Sequence, residues 1–212
     1  MPDVSITAIV LAAGLSRRMG QPKINLPWGD STVLGTVIHT LLEAGVNQVI
    51  AVTGPTEVLG RDQFDEKPVR FENNPRFSED SMLLSLQTGL QAILSVKAED
   101  PFQGNPNDDP AAVLVVLGDM PSMQGAVVRA LLSCFASNRA ALIVPSFRMR
   151  RGHPWVVARR LWDDLLSLPP SAVLSEFLND HADQIHYLPV DNDSILRDID
   201  TPQDYARLHP GN

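Results

Sequence analysis

Short apolar runs alternate along this chain with segments in which apolar residues recur every three or four positions. The runs are rich in β-branched residues and are bounded by glycine, proline or polar residues, which is typical of buried strands. Six strands are predicted, at residues 6–13, 48–53, 69–72, 111–117, 141–145 and 185–190. The helical spacing predicts helices at residues 34–42, 83–94, 125–135, 159–168, 172–181 and after Pro202.

This alternation predicts one α/β domain, residues 1–212, with a mostly parallel central sheet in three layers. A chain of 212 residues is of ordinary length for one such domain. Ligands of these sheets bind beyond the carboxyl ends of the strands, so the loops at residues 14–23, 118–121 and 146–154 are expected to carry the function. The polar segment 99–110, rich in proline, asparagine and aspartate, is predicted to be a loop.

Composition and charge narrow the range of partners. Seventeen Lys and Arg residues against 25 Asp and Glu residues give a net charge of −8, which argues against a nucleic-acid partner. A small anionic ligand is still compatible, because a few local cations can hold a phosphate. The single cysteine, Cys134, excludes an intramolecular disulfide, and the apolar run near the start is too short to span a membrane. We therefore expect a cytoplasmic protein with no nucleic-acid or membrane partner.

A loop rich in glycine and cations follows the first predicted strand. Its sequence is LAAGLSRRMG, residues 11–20, and Lys23 lies three residues further on. The two glycines allow a turn and a close approach to a ligand, and successive backbone N–H groups can bind an anion. Arg17, Arg18 and Lys23 add positive charge suited to a triphosphate. The alternative is an ordinary strand-to-helix turn with solvated arginines, because neither the dinucleotide-binding pattern nor the P-loop pattern is present.

Two acidic motifs lie further along the chain. Asp119 follows the most apolar strand, in GDMP, where a carboxylate can hold Mg²⁺ against phosphate oxygens or can cap a helix. Asp198 and Asp200, in DIDTP, share a face if that segment is extended, although Asp200 can equally cap the helix that begins at Pro202. The five histidines show no zinc-binding spacing, so a zinc site is not expected.

An ordered set of motifs runs through the chain: LAAG-x-S-x-R-M-G-x-x-K, LPWG, GDMP, RGHP and DIDTPQDY. The set resembles the nucleotidyltransferases related to molybdenum cofactor cytidylyltransferase, the MobA-like NTP transferase superfamily, and covers nearly the whole chain. The resemblance implies a Rossmann-like α/β fold. It also implies transfer of a nucleoside monophosphate from a nucleoside triphosphate to a phosphorylated acceptor, with Mg²⁺ as the cofactor and pyrophosphate as a product.

The same resemblance implies roles for individual residues. Arg18 and Lys23 would neutralise the triphosphate, Asp119 would coordinate Mg²⁺, and Asp200 would be the second acidic contact of the metal. Arg18, Lys23 and Asp119 are thus the implied catalytic residues, whereas Arg17 lies at a variable position of the pattern. The residues implied to bind the nucleotide are Leu11, Ala12, Ala13, Gly14, Arg18, Lys23, Asn74 and Ser85.

Two segments of the sequence bear on which base the nucleotide carries. Relatives that use CTP tend to have LAAG in the first loop, as here, whereas guanylyl relatives have LAGG, so Ala13 favours CTP. A later segment of the cytidylyltransferases resembles N-P-x(4)-GMSSSLxxG, but in this chain Ser81 replaces the glycine and Leu83 and Leu84 replace two serines. Two hydroxyl groups are therefore expected to be missing from a polar pocket, so the base or the acceptor that binds there would differ from that of the cytidylyltransferases. The alternative is that Leu83 belongs to the helix core.

The acceptor implied by the resemblance is molybdopterin, with Arg151 and His153 of RGHP as candidate acceptor-binding residues. A molybdoenzyme of the xanthine dehydrogenase or aldehyde oxidase type is the implied recipient of the product. His153 can instead serve as a structural hydrogen-bonding group. The expected reaction is transfer of CMP from CTP to molybdopterin. The alternatives are use of GTP, another phosphorylated acceptor such as a sugar phosphate, and a non-catalytic carrier of nucleotide or cofactor.

Overall fold

The predicted order of strands and helices is present in the structure, a computed structural model that describes residues 5–95 and 110–211. The predicted loop at residues 99–110 lies outside the described residues apart from Pro110. The strands are β1 (Ile6–Ala12), β2 (Pro27–Trp28), β3 (Ser31–Thr32), β4 (Gln48–Thr53), β5 (Val69–Asn73), β6 (Ala112–Leu117), β7 (Leu142–Phe147), β8 (Arg150–Arg151), β9 (Trp155–Ala158) and β10 (Ile185–Pro189). The helices are α1 (Val33–Glu43), α2 (Met82–Leu94), α3 (Gly125–Asn138), α4 (Trp162–Ser167), α5 (Leu174–Asp180) and α6 (Pro202–Leu208).

The central sheet has eight strands, most of them parallel. The strand order is β10-β7-β9-β6-β1-β4-β5, and β8 pairs with β7. Strand β1 lies between β4 and β6 and is parallel to both, with Val10 opposite Ala51 on one side and Val116 on the other. Helices α1 and α3 pack on one face of the sheet, and α2, α4 and α5 pack on the other. The prediction of a three-layer, mostly parallel α/β fold is therefore confirmed.

Strand β1 supplies side chains to both hydrophobic cores. Ala8 and Val10 belong to the core under α1 and α3, whereas Ile9 and Leu11 belong to the core under α2. All seven residues of the strand are buried. A strand covered on both faces has no polar alternation, and this explains why its sequence is apolar apart from the buried Thr7.

Strand β9 is absent from the elements predicted by the sequence. It lies between β6 and β7 and is antiparallel to both. The segment at residues 146–154, predicted to be a loop, leads into it through the short strand β8. Because β9 runs in the opposite direction to β6, the residues just before β9 lie where β6 ends. This brings His153 to the carboxyl edge of the sheet.

Polar side chains mark where α2 and α6 begin. Ser81 Oγ accepts a hydrogen bond from the backbone N–H of Leu84 at the start of α2. Helix α6 begins with a capping box, in which the side chains of Thr201 and Asp204 accept hydrogen bonds from each other's backbone N–H groups. Thr201 is therefore the cap of α6, and the interpretation of Asp200 as that cap is wrong.

No helix in the described part of the chain is long and apolar enough to cross a membrane.

We predict that Gly89→Ala lowers the free energy of unfolding by about 1–3 kcal/mol, the usual cost of overpacking a core. A Cβ at Gly89, in α2, would lie 2.5 Å from Cγ2 of Ile9, in β1. This clash outweighs the gain of about 1 kcal/mol that alanine brings inside a helix. Urea unfolding of Gly89→Ala, Ile9→Ala and the double variant tests the prediction, because the added methyl group should cost less once Ile9 is truncated. A Gly89→Ala protein more stable than wild type would contradict it.

Candidate active site

A cavity of about 550 Å³ opens at the carboxyl ends of β1 and β6, within the size range of small-molecule sites. Residues 13–22, which follow β1, are called the first loop from here on; residues 13–18 of this loop form one wall, and the first turn of α2 forms another. The residues assigned from the sequence to the nucleotide or the metal that line this cavity are Leu11, Ala12, Ala13, Gly14, Arg18, Lys23, Asn74, Ser85, Asp119 and Asp200. The motifs that are far apart in sequence thus converge at one place.

The first loop is shaped by local hydrogen bonds and rests on apolar side chains. Ser16 and Gly20 have positive φ angles of 49° and 69°. The carbonyl of Ser16 accepts from the N–H of Met19, and its Oγ accepts from the N–H of Lys23. The turn thus relies on glycine at position 20, whereas a Cβ at Gly14 would meet only open space. Beneath the loop lies an apolar group that we call the loop cluster. Its buried members are Met19, Leu26, Trp28, Val33 and Ile199.

Two basic and two acidic side chains form a continuous ion-pair network in the cavity. Nζ of Lys23 donates to Oδ2 of Asp119 and, at 3.1 Å, to Oδ1 of Asp200. Nη2 of Arg18 donates to Oδ2 of Asp200 at 2.8 Å. The side chains of Lys23 and Asp119 are only 14% and 16% exposed, whereas that of Arg18 is 67% exposed. Lys23 is therefore the buried centre of the network, and Arg18 lies at its solvent-exposed end.

A backbone hydrogen bond joins the two acidic motifs. The N–H of Ile199 donates to the carbonyl of Asp119 at 2.9 Å. Ile199 is fully buried, and its neighbours Asp198 and Asp200 both line the cavity, so the predicted placement of these two carboxylates on one face is confirmed. Asp119 is not a helix cap, because the next helix begins further along the chain, at Gly125.

Burial and neighbouring charges act together on the two buried partners. Burial disfavours the charged form of Lys23, but the carboxylates of Asp119 and Asp200 outweigh this effect and raise the pKa of Lys23. Burial raises the pKa of Asp119; Lys23 opposes this rise, and the negative charges of Asp198 and Asp200 add to it. Lys23 is thus a permanent positive charge at neutral pH, and ionised Asp119 would be stabilised by a further cation.

The carboxylates fit a divalent metal ion that also binds phosphate oxygens. Oδ1 of Asp119 is buried and has no hydrogen-bond partner in the described part of the chain. Such an atom is costly to leave unpaired, and a metal ion or a metal-bound water would satisfy it. Among residues 5–95 and 110–211, no three His, Cys, Asp or Glu side chains form a complete metal cage. Mg²⁺ does not need one, since it usually takes one or two carboxylates and completes its shell with water and substrate phosphates.

A buried polar pair, Asn74 and Ser85, lies in the wall formed by α2. Nδ2 of Asn74 donates to Oγ of Ser85 at 3.2 Å, and that hydroxyl donates to the carbonyl of Ser81 at 3.3 Å. Oδ1 of Asn74 accepts from the N–H of Arg76 at 2.9 Å. Both side chains line the cavity and are almost fully buried. Their polar groups are therefore held in one orientation before any ligand binds.

The leucines that replace two serines do not alter the cavity wall. Leu83 and Leu84 are buried, and neither lines the cavity; Leu83 packs in the core under α2. Ser81, Met82 and Ser85 line it instead. The expectation that two hydroxyl groups are missing from the pocket is therefore wrong, and the alternative that Leu83 belongs to the helix core is confirmed.

Among the side chains of the wall that sequence reasoning missed are Phe77, Asp80 and Met82. Phe77 and the half-exposed Met82 give the cavity an apolar portion. Oδ1 of Asp80 accepts from the N–H of Leu15 at 3.4 Å and so links the first loop to the segment before α2. The available signal was their position within the segment that resembles a nucleotide-binding motif.

The two candidate acceptor-binding residues occupy different positions. His153 lines the cavity and stacks on Trp155 with ring centroids 4.2 Å apart. Its Nδ1 is buried and has no hydrogen-bond partner among the described residues. The guanidinium of Arg151 donates to Oη of Tyr187 and to Oδ1 of Asn179, both at 2.9 Å, and Arg151 does not line the cavity. The structure therefore brings His153 to the site but not Arg151.

We predict that His153 makes the wild-type protein lose stability between pH 7 and pH 5. Burial lowers the pKa of His153 to about 4, whereas histidine in an unfolded chain has a pKa of about 6.5. As the pH falls, the unfolded state binds this proton first, so stability decreases across the window by about 1–2 kcal/mol. Urea unfolding at pH 7 and pH 5 should show a smaller loss for His153→Asn than for wild type. Equal losses would show that His153 titrates normally in the folded protein.

Comparisons with known proteins agree with this fold. The MobA-like NTP transferase domain matches residues 8–185. Molybdenum cofactor cytidylyltransferase of Escherichia coli (strain K12) is 28% identical over 204 residues, which are 95% of this chain and 94% of that protein. The crystal structure of Rv0371c from Mycobacterium tuberculosis H37Rv has a TM-score of 0.76 at 26% identity and covers 97% of this chain and 98% of that chain. The structure of Rv0371C in complex with manganese shows the same fold, with a TM-score of 0.73 at 24% identity over 99% and 100% of the two chains.

The class of the protein follows from the fold and these matches: it is an enzyme of the nucleotidyltransferase class. Within that class, the chain belongs to the MobA-like NTP transferase family, whose domain matches most of its length. The family and the fold inferred from the sequence motifs are thereby confirmed.

Proposed function

We propose that this protein is a Mg²⁺-dependent cytidylyltransferase that transfers CMP from CTP to molybdopterin and releases pyrophosphate. The observation that carries the proposal is the network of Lys23, Asp119 and Asp200 in the cavity at the carboxyl edge of the sheet. It puts a cation suited to a triphosphate beside carboxylates suited to a divalent metal. The 28% identity to the E. coli molybdenum cofactor cytidylyltransferase supports this choice of substrates.

The triphosphate is assigned to the first loop and the end of β1. The backbone from Leu11 to Gly14 lines the cavity, and the open space beside Gly14 leaves room for a phosphate to approach the main chain. Lys23 and Arg18 neutralise the phosphate charge in this proposal.

The nucleoside is assigned to the opposite wall, where Asn74 and Ser85 are pre-oriented. The choice of CTP rests on Ala13, by resemblance to the relatives that have LAAG in this loop.

Asp119 and Asp200 would hold Mg²⁺, and the buried Oδ1 of Asp119, which has no hydrogen-bond partner among the described residues, supports this choice. When bound, the ion neutralises charge on the phosphate oxygens and orients the triphosphate for an in-line displacement. The hydrogen bond from Ile199 to the carbonyl of Asp119 keeps the two carboxylates beside each other.

The reaction joins two anions, and their repulsion is the main barrier that the side chains must lower. An oxygen of the acceptor phosphate attacks the α-phosphorus of CTP. The bond from that phosphorus to the bridging oxygen breaks, and the electrons leave with pyrophosphate. Lys23 and Arg18 contribute by neutralising charge on the triphosphate and by holding it in line. The route needs no covalent nucleophile, and Cys134 lies in α3, outside the set of residues that line the cavity.

His153 is the proposed contact of the acceptor. Because burial lowers its pKa to about 4, the ring is neutral at pH 7 and would act as a hydrogen-bonding group, not as a cation. Arg151 is left out of this role, since its guanidinium is already bonded to Tyr187 and Asn179 outside the cavity.

The proposal also covers partners and location. The recipient of the product would be a molybdoenzyme of the xanthine dehydrogenase or aldehyde oxidase type, and residues 1–212 would act as one domain in the cytoplasm. The net charge of −8 supports the absence of a nucleic-acid partner, and the single cysteine suits a reducing compartment.

The experiment that tests this function is pyrophosphate release by the purified protein with Mg²⁺ and molybdopterin, with CTP, GTP and ATP offered separately. The expected result is release with CTP and formation of the cytosine dinucleotide of molybdopterin. Reactions without molybdopterin and without Mg²⁺ are the controls, because a simple triphosphate hydrolase would release phosphate or pyrophosphate without an acceptor.

Each other outcome contradicts a specific part of the proposal. A preference for GTP would overturn the role given to Ala13 and keep the mechanism. Release with CTP only when a sugar phosphate replaces molybdopterin would overturn the acceptor. Binding of nucleotide without turnover on any acceptor would indicate a carrier instead of an enzyme of this specificity.

A further inference from the structure

The ammonium group of Lys23 bonds to both of the carboxylates proposed to bind the metal. We propose that Lys23 occupies the position between Asp119 and Asp200 that a divalent cation would take, so that the metal binds tightly only when a triphosphate draws Lys23 away. The inference rests on the proposed function, because it uses the metal ligands proposed there. It concerns the order in which the metal and the nucleotide bind.

Most carboxylate oxygens of Asp119 and Asp200 already accept a hydrogen bond from a cationic side chain. Oδ1 of Asp200 accepts from Lys23, Oδ2 of Asp200 accepts from Arg18, and Oδ2 of Asp119 accepts from Lys23. Oδ1 of Asp119 is the remaining oxygen, and it has no partner in the described part of the chain. On these two carboxylates, a metal ion that arrives alone therefore finds one oxygen without a hydrogen bond and must compete with Lys23 and Arg18 for the others.

Burial makes this competition strong. The side chains of Lys23 and Asp119 are mostly shielded from water, so each depends on the other for compensation of its charge. A metal ion that displaced Lys23 without offering a new anion would leave a buried ammonium without a partner. That state is costly, and the free metal is therefore disfavoured.

A triphosphate removes this obstacle. Lysine has a flexible four-carbon stem, while the backbone N–H of Lys23 stays bonded to Oγ of Ser16. The ammonium can thus move to a phosphate oxygen without movement of the loop backbone. The carboxylates then become available to a metal carried by the same triphosphate. The expected ligand is the metal–nucleotide complex, and metal and nucleotide should bind with positive cooperativity.

The test measures Mn²⁺ binding without nucleotide, by electron paramagnetic resonance, in wild type, Lys23→Met and Arg17→Met. Both substitutions remove one positive charge from the cavity lining, but Arg17 has no ion pair among residues 5–95 and 110–211. If Lys23 holds the metal position, Lys23→Met should bind Mn²⁺ about tenfold or more tightly than Arg17→Met, because only the former frees the carboxylates. Arg17→Met should stay close to wild type.

The result that overturns the inference is equal or weaker Mn²⁺ binding by Lys23→Met relative to Arg17→Met. Circular dichroism checks that each variant is folded, and Lys23→Gln replaces Lys23→Met if the latter does not fold. The thermal shift caused by Mn²⁺ is a second readout, and it should be larger for the Lys23 variant than for wild type.

Failure of the inference and failure of the proposed function are separable. If wild type releases no pyrophosphate with any substrate while Lys23→Met still binds Mn²⁺ more tightly, the function is wrong and the inference stands. If wild type forms the cytosine dinucleotide while the two variants bind Mn²⁺ equally, the inference is wrong and the function stands.

Discussion

Replacement of Asp119 by asparagine should lower the rate of nucleotidyl transfer by about 10³-fold or more. Loss of one electrostatic stabiliser typically costs about 10²–10³-fold, and Asp119 serves two groups at once, because it pairs with Lys23 and is the proposed metal ligand. Steady-state pyrophosphate release at saturating Mg²⁺ and CTP measures this effect. The loss should be mainly in kcat, since the metal acts on charge that develops during the reaction.

The matched control is Asp198→Asn. Asp198 lines the same cavity and carries the same charge, but no hydrogen bond joins it to Lys23 or Arg18 among the described residues. Its activity should fall by less than about tenfold, as expected for a carboxylate that acts only through its long-range charge. Full activity of Asp119→Asn, or equal losses in the two variants, would contradict the assignment of Asp119 as a metal ligand.

Lys23→Met should lower kcat by about 10²–10³-fold, the cost of removing one cation that stabilises the transition state. Lys23 is the buried cation of the network, and its raised pKa keeps it charged throughout the neutral range. Rapid-quench measurement of CMP transfer separates this effect on the chemical step from product release.

Arg17→Met is again the control, because it removes a charge from the same cavity without removing a bond to a carboxylate. Its rate should stay within about threefold of wild type, as for an exposed cation. A Lys23→Met enzyme as active as Arg17→Met would show that the triphosphate does not depend on Lys23. Lys23→Met is therefore expected to bind Mn²⁺ more tightly than Arg17→Met in the absence of nucleotide and to transfer CMP more slowly.

The strands at the centre of the sheet were the most predictable part of the fold. β1 and β6 are covered on both faces, so their sequences are apolar apart from Thr7 in β1, a pattern that no surface helix would show. β9 was missed although its sequence, WVVA, is also entirely apolar and buried, because the run is shorter than those of β1 and β6. It has four residues, and its antiparallel direction depends on its pairing with β6 and β7, which are far away in sequence. Pairing between distant strands is not encoded in a local pattern.

The site was predictable to the extent that its residues lie in motifs. Lys23, Asp119 and Asp200 come from three separate motifs, and the parallel sheet explains why the ends of β1 and β6 meet. The positions of Leu83 and Leu84 required more than the motif. Ser81 caps α2, so the helix begins at Met82 and its rotation of about 100° per residue decides which side chains face the cavity. The effect of replacing a motif residue on the cavity can be judged only when it is known which side of the helix that residue faces.

Arg151 shows a different limit. Its charge and its place two residues before His153 made it a natural anion ligand, but Arg151 lies in β8, whereas His153 lies beyond the end of that strand. Tyr187 and Asn179 come from elements later in the chain, and they provide the partners that hold Arg151 away from the cavity. Competition of this kind between two sets of partners is visible only in three dimensions.

The contribution of Ile199 has a consequence for biosynthesis of the protein. Its side chain completes the loop cluster, and its backbone N–H bonds to the carbonyl of Asp119, so a residue that follows both in the chain supports the first loop and the proposed metal ligand. A ribosome-bound nascent chain that has not yet released this segment lacks Asp200 and part of the support of the first loop. We therefore expect no catalytic activity from a nascent chain before the segment that carries Ile199 and Asp200 has been released.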